Sequence, residues 1–300
     1  EYLDDTIKSP EDVKRVLPVG VLGALPRLAN SNGRTPLIVA EHPLQPTSEA
    51  FRGMRTNIEF AGVDLPMRVL LVTSPLPTDG KTFTAANLAA VFAQGGKRVV
   101  LVDADLRHPR QHLRFELPKE PGLTSALLRP EERAAVLRET GVEGLRIVVS
   151  GPQAPNPAEL LASERMRQFV SWLKEEADIV VIDTPPVLVV TDAVMLSKLV
   201  DGTILVLDSG STRRPAAMRA MEQLTGVGAK VLGVVLNRVK PGRDGYYYYY
   251  HYYYNDGGDG ASANNGRARW VARLLGQERG RKGRRRRSVR EEAEQVEERP

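Results

Sequence analysis

Val69-Leu70-Leu71-Val72-Thr73, followed directly by Ser74-Pro75-Leu76-Pro77-Thr78-Asp79-Gly80-Lys81-Thr82, is the stretch that decides the architecture. Its first half is uniformly apolar or β-branched, the signature of a strand buried on both faces, as in a parallel sheet covered by helices. The run from Lys81 to Gln94, with Ala85, Leu88 and Ala89, predicts a helix immediately behind the loop. A loop so placed turns the backbone N–H groups of Thr78 to Phe83 toward a phosphate, which the helix N-terminus also favours. Lys81 would then neutralise the outer phosphate oxygens, and the Thr82 hydroxyl would bind Mg²⁺. The match is incomplete: Pro75 stands where the usual pattern opens with glycine, and Gly80 is the only glycine in the loop.

Two further strands end in carboxylates. Val99 to Val102 runs into Asp103-Ala104-Asp105-Leu106-Arg107, and Ile179 to Ile182 into Asp183-Thr184-Pro185-Pro186. Ligands of open α/β sheets bind beyond the carboxyl ends of the strands, so Gly80-Lys81-Thr82, Asp103, Asp105 and Asp183 are expected to converge on one crevice. Carboxylates there can hold Mg²⁺ directly or through its waters. Apolar runs over Leu145–Val149, Thr203–Asp208 and Val231–Leu236 alternate with helical patterns over Pro157–Ala177 and Pro215–Thr225. The expected fold is a doubly wound, mostly parallel α/β sheet, the P-loop NTPase fold. Asn237 and Arg238, at the end of the last strand, are candidates for recognising a nucleotide base; a turn-forming Asn followed by a surface Arg is the plainer reading.

The 300 residues are 42% hydrophobic and 26% charged, ordinary globular values that exclude collagenous and wholly disordered chains. With no cysteine, thiolate zinc sites and disulfides are excluded as well. The net charge of +5 sits in the tail: Arg267 to Pro300 holds 12 of the 42 Lys and Arg but 6 of the 37 Asp and Glu. The remaining body is almost neutral, which argues against nucleic acid as its partner. Residues 1–46, punctuated by prolines, read as an extended entry arm, 47–240 as the nucleotide-binding domain, 241–266 as a Tyr-rich tail and 267–300 as an Arg-rich tail that does not fold on its own.

Eight of the nine tyrosines are Tyr246, Tyr247, Tyr248, Tyr249, Tyr250, Tyr252, Tyr253 and Tyr254, interrupted only by His251. A core cannot use such a block, because each hydroxyl wants a partner and alternate side chains point to opposite faces. A presented phosphoacceptor segment is the reading that also explains a triphosphate site on the same chain.

Together these residues resemble the bacterial tyrosine kinases of capsule and exopolysaccharide assembly, the BY-kinases. Asp103-Ala104-Asp105-Leu106-Arg107 is similar to their second Walker-type motif and Ile182-Asp183-Thr184-Pro185-Pro186 to their Walker B motif. Glu49, Arg52 and Arg55 match a Glu-x-x-Arg-x-x-Arg pattern that the resemblance assigns to packing subunits into a ring; without it, they are a solvated helix face. The entry arm, with Leu17-Pro18-Val19-Gly20, resembles the segment that follows the second transmembrane helix of chain-length regulators. The resemblance therefore implies ATP and Mg²⁺ as cofactors, a homo-oligomeric ring and a transmembrane activator upstream or as a separate chain. It also implies a cognate tyrosine phosphatase and a place at the cytoplasmic face of the bacterial plasma membrane. Lys81, Asp103, Asp105 and Asp183 are the expected catalytic residues, with Thr82, Asp105 and Asp183 on the metal. Thr78 stands where the family commonly has Gly, and Asp79 where it commonly has Glu; a positive φ at residue 78 would strain a threonine.

The rival reading is an ATPase switch of the partitioning and septum-positioning type on the same sheet. Such proteins usually carry an extra lysine near the start of the phosphate loop, and no lysine lies between Arg68 and Gly80.

Overall fold

In the computed structural model, which describes residues 4–28, 37–62 and 67–240, one sheet organises the described chain. Its strands are β1 (Val21–Pro26), β2 (Val69–Thr73), β3 (Val99–Asp103), β4 (Arg138–Glu139), β5 (Leu145–Val148), β6 (Ile179–Asp183), β7 (Gly202–Asp208) and β8 (Val231–Val239). Their lateral order is β1-β8-β7-β2-β6-β3-β5-β4. All neighbours are parallel except β4 and β5. Following β2, the chain goes to β3 on one side of it and later to β7 on the other, so the crevice of a doubly wound sheet opens where β2, β6 and β3 end.

Every residue of β2 and β3 is buried, as their unbroken apolar runs require. Alternate side chains feed opposite layers. Leu70 and Val72 pack with Phe51, Met54, Leu88 and Phe92 from the helices Pro46–Ala61 and Lys81–Gln94. Val69 and Leu71 pack with Met166, Phe169 and Leu173 of Glu164–Glu176. Leu205 and Leu207 of β7 meet Ala217, Met221 and Leu224 of Arg214–Gly226. Each fully buried Phe or Leu in these layers contributes about 1.5–3 kcal/mol by leaving water.

The helix Lys81–Gln94 has the expected bounds. The stretch Pro157–Ala177 instead splits into helices Pro157–Leu161 and Glu164–Glu176, because Ser163 caps the second, its hydroxyl accepting the Met166 N–H at 3.3 Å. The helix around Phe51 starts at Pro46, and Thr47 and Ser48 lie buried inside its first turn.

The N-terminal segment departs most from expectation. Residues 1–46 read as an extended arm, yet Pro10–Val16 is a helix with Ser9 and Asp12 as a reciprocal capping box. β1 then adds to the sheet edge, parallel to β8. The prolines did not forbid this: Pro10 occupies the first helical turn and Pro26 the last position of an edge strand, where a missing N–H costs little. No helix of the described residues is long and apolar enough to cross a membrane. The Tyr-rich and Arg-rich tail segments lie outside the described residues.

Candidate functional site

Sheet register alone brings two of the expected carboxylates together. Asp103 ends β3 and Asp183 ends β6, and the two are paired residues across the strands. Asp183 is also in register with Val72 of β2, just before the phosphate loop. Asp103 and Asp183 are fully buried and Asp105 nearly so. Lys81, on the first turn of its helix, donates to Asp105 Oδ2 at 2.8 Å and reaches Thr82 Oγ1 at 3.3 Å.

Three carboxylates around one lysine set the electrostatics. Burial, reinforced by Asp183 and Asp105, holds the Asp103 carboxyl well above the usual carboxylate range. Burial also raises Asp183, against the opposing pull of Lys81. Burial by itself would lower the Lys81 ammonium, but Asp183, Asp105 and Asp103 outweigh it and raise it, so the lysine stays charged. Three carboxylates crowded in a buried crevice are what a cation would relieve.

The residues present fit Mg²⁺. Asp183 Oδ1 is buried and accepts no hydrogen bond, and the Thr82 hydroxyl nearby favours the charged form of the same carboxyl. Among the described residues no three His, Cys, Asp or Glu side chains form a complete cation site. A cation here would take its other ligands from phosphate and water, as Mg²⁺ commonly does.

The phosphate loop is held from the opposite side. Thr78 takes φ +69°, a conformation that strains a β-branched residue. Its carbonyl accepts from Arg238 Nη1 at 2.8 Å, and the Asp79 carbonyl accepts from Asn237 Nδ2 at 2.8 Å. Arg238 also pairs with Asp208 at 2.8 Å. Asn237 and Arg238 thus meet the nucleotide loop at its backbone. Gly80 is required twice: its φ is +105°, and a Cβ would lie 1.9 Å from Asn237 Nδ2. Asp79 is buried, accepting from the Leu76 N–H at 3.0 Å and the Thr212 hydroxyl at 3.5 Å. Burial, with Asp208 nearby, lifts its carboxyl to about 7.

Gly80 has no side chain to cap the helix Lys81–Gln94, so the N–H groups of the first turn are left for an anion. The Phe83 side chain is not part of the site. It packs edge-on against Phe51 at 5.9 Å with the Arg114 guanidinium over its ring, leaving only its backbone to face a ligand.

The three residues of the helix motif separate. Glu49 pairs with Arg52, which also donates to the Pro43 carbonyl at 2.9 Å, on the exposed side of Pro46–Ala61. Arg55 turns inward and donates to the Val91 carbonyl at 3.0 Å, at the C-terminal end of Lys81–Gln94, where a cation suits the helix dipole.

Sequence reasoning missed three residues. Gln111 is fully buried; its backbone N–H meets Asp103 Oδ2 at 3.0 Å, and its side-chain amide donates to Asp183 Oδ2 at 2.9 Å and the Thr82 carbonyl at 3.1 Å. Arg107 forms a two-toothed pair with buried Asp192, at 2.9 and 3.0 Å, tying the loop after β3 to the segment after β6. The available signal was faint: Arg107 closes the Asp-x-Asp-x-Arg run, while Gln111 and Asp192 stand in unremarkable loop sequence.

Residues 78–249 match the family model described as the CobQ/CobB/MinD/ParA nucleotide binding domain. Tyrosine-protein kinase YwqD of Bacillus subtilis (strain 168) is 42% identical over 217 residues, covering 72% of this chain and 92% of YwqD. Tyrosine-protein kinase etk of Escherichia coli (strain K12) is 35% identical over 204 residues, 68% of this chain but 28% of that longer protein. Among solved structures, the chimerical protein CapA2B2 matches at TM-score 0.73 and 39% identity, over 77% of this chain and 100% of that one. The kinase domain of Escherichia coli tyrosine kinase ETK matches at 0.73 and 31%, over 78% and 96%.

Proposed function

Since the chain belongs to the bacterial tyrosine-protein kinases built on this nucleotide binding domain, we propose that it transfers the γ-phosphoryl of ATP, with Mg²⁺, to the tyrosines of Tyr246–Tyr254 on a neighbouring copy in a ring. The observation that supports this most is the meeting of Lys81, Asp105, Asp103 and Asp183 at three strand ends around one loop. Lys81, the Thr82 hydroxyl and the first-turn amides bind and orient the phosphates, and Lys81 neutralises charge that builds on the transferring oxygens. Asp105 and Asp183, with Thr82, would hold the cation, which supplies further neutralisation of the phosphates. A phenol is a weak acid of pKa about 10, so a nearby base assists as its oxygen attacks. Asp103, at the end of β3 and paired in register with Asp183, takes that proton.

Glu49 and Arg52, exposed on one helix, are the ring contacts in this proposal, while Arg55 supports them by fixing that helix to its neighbour. Each phosphate adds about −1.5 to −2 charges. Heavy phosphorylation therefore weakens the ring by repulsion, giving a cycle that regulates capsular or exopolysaccharide export. A transmembrane activator at the cytoplasmic face of the plasma membrane and a tyrosine phosphatase complete the cycle.

The test is incubation of the purified chain with ATP and Mg²⁺, then mass spectrometry of the peptide holding Tyr246–Tyr254. Phosphotyrosine should form, should persist in Tyr246→Phe and should vanish in Lys81→Ala. Undiminished phosphorylation of Lys81→Ala would overturn the mechanism. Light scattering before and after phosphorylation tests the cycle, and unchanged assembly rules it out.

A further inference from the structure

The cluster beneath the phosphate loop contains two buried acceptors with nothing to accept: Asp183 Oδ1 and Gln111 Oε1. They belong to side chains joined by a 2.9 Å hydrogen bond. The orientation of the Gln111 amide is settled by its partners. Its NH₂ faces two oxygens, Asp183 Oδ2 and the Thr82 carbonyl, and the reverse orientation would set three oxygens against one another. Gln111 Oε1 is therefore left open by necessity.

An open acceptor in a buried site needs a donor, and the loss of hydration is costly until one arrives. Phosphate oxygens cannot supply it, because they too are acceptors. Lys81 is turned to Asp105 and Thr82 Oγ1 and, in the reading above, to the phosphates. The waters of a hydrated divalent cation can: each is bound through its oxygen and presents its hydrogens outward, and Mg²⁺ keeps several of them. A neutral amide also suits the place better than another carboxylate, since Asp103, Asp105 and Asp183 already crowd a single lysine.

We propose that Gln111 is a positioning residue for the cation: its amide N–H groups fix Asp183 so that Oδ1 stays free for the cation, and its Oε1 accepts from a cation-bound water. This rests on the Mg²⁺ reading above. Second-shell partners of this kind typically change metal affinity 10–100-fold when removed.

The experiment measures binding of a fluorescent ADP analogue to the full 300-residue chain while MgCl₂ is titrated, and reads the Mg²⁺ concentration at half-maximal binding. Gln111→Met keeps the volume and removes both polar atoms; the backbone N–H to Asp103 is untouched. The half-maximal Mg²⁺ concentration should rise about tenfold or more, while binding in EDTA stays as in the unaltered chain. Gln111→Asn, which withdraws the amide by one methylene, should show the same direction and decides the matter if the Met variant does not fold. An unshifted Mg²⁺ midpoint in a folded variant overturns the proposal; so does a loss of phosphotransfer with that midpoint unmoved, which would place Oε1 against the acceptor phenol. If the unaltered chain binds nucleotide equally well with and without Mg²⁺, the metal reading itself falls, and the proposal falls with it.

Discussion

The two flanks of the phosphate loop solve opposite problems. On the β3–β6 flank, three buried carboxylates face one lysine, and two acceptors are left open. On the β7–β8 flank, the loop carbonyls of Thr78 and Asp79 are taken by Arg238 and Asn237, Asp208 is paired, and the cost appears as backbone strain at Thr78 and Arg238. One flank is electrostatically incomplete and conformationally relaxed; the other is saturated with hydrogen bonds and strained. A site that receives a charged ligand can leave charge uncompensated only where that ligand arrives, and the surface that shapes the loop must be satisfied beforehand.

The sharpest way to break this contrast is to remove the cation that pairs with Asp105 on the incomplete flank. Lys81→Ala should reduce tyrosine phosphorylation at least ~100-fold, the scale of a lost charge stabiliser in the transition state, as read by initial rates with radiolabelled ATP. It should leave the fold intact by circular dichroism. Next in size is the brace behind Asp105. Arg107→Ala leaves Asp192 buried without its partner and should lower stability by about 2 kcal/mol, less than the 3–5 of a wholly buried pair because the guanidinium is partly open to water. Chemical denaturation measures this, and the double variant Arg107→Met with Asp192→Leu should recover most of the loss.

Asp79 tests the saturated flank through pH. Its carboxyl is lifted from 3.8 to about 7 by burial, with Asp208 adding to the effect and Arg238, Thr212 and the Leu76 N–H opposing it. The folded chain thus holds a proton that the unfolded chain releases at lower pH. Its contribution to stability is present in full below the unfolded value of 3.8 and is lost as pH rises toward and through about 7. Asp79→Asn, which cannot ionise, should flatten that part of the stability profile and be the more stable protein at pH 8, by about 1 kcal/mol. Thermal melts across pH 4–9 would show it; parallel profiles for the two proteins would sink the assignment. The smallest effect belongs to Thr78→Gly. Relief of left-handed strain is worth about 1–2 kcal/mol, and the greater freedom of unfolded glycine returns about half. Calorimetry should find a rise in melting temperature of a few degrees at most.

Much of the first flank was legible because each of its members is punctuation at the end of an apolar run. Lys81, Asp103 and Asp183 follow strands whose burial on both faces is written in their composition. Asn237 and Arg238 were visible as a strand end, but not their direction, which depends on Gly80 approaching within contact of the Asn237 amide. Arg55 and Arg52 look alike in sequence; only the helix they lie against separates an inward from an outward arginine. Gln111 left no pattern to find, since its partners come from β3, β6 and the first turn of the helix Lys81–Gln94 at once. β1 was hidden by Pro26 within it and Pro18 just before it, and its partner β8 lies some two hundred residues away.

The order of residues by itself determined the doubly wound sheet, the phosphate loop and the three carboxylates, because periodicity, strand-end chemistry and helix starts are local properties of a chain. Tertiary structure alone decided which side chains satisfy the loop, which arginine is buried and which acceptors stay open. Those outcomes depend on distances between segments remote in sequence, and a hydrogen bond is made or lost over less than an ångström.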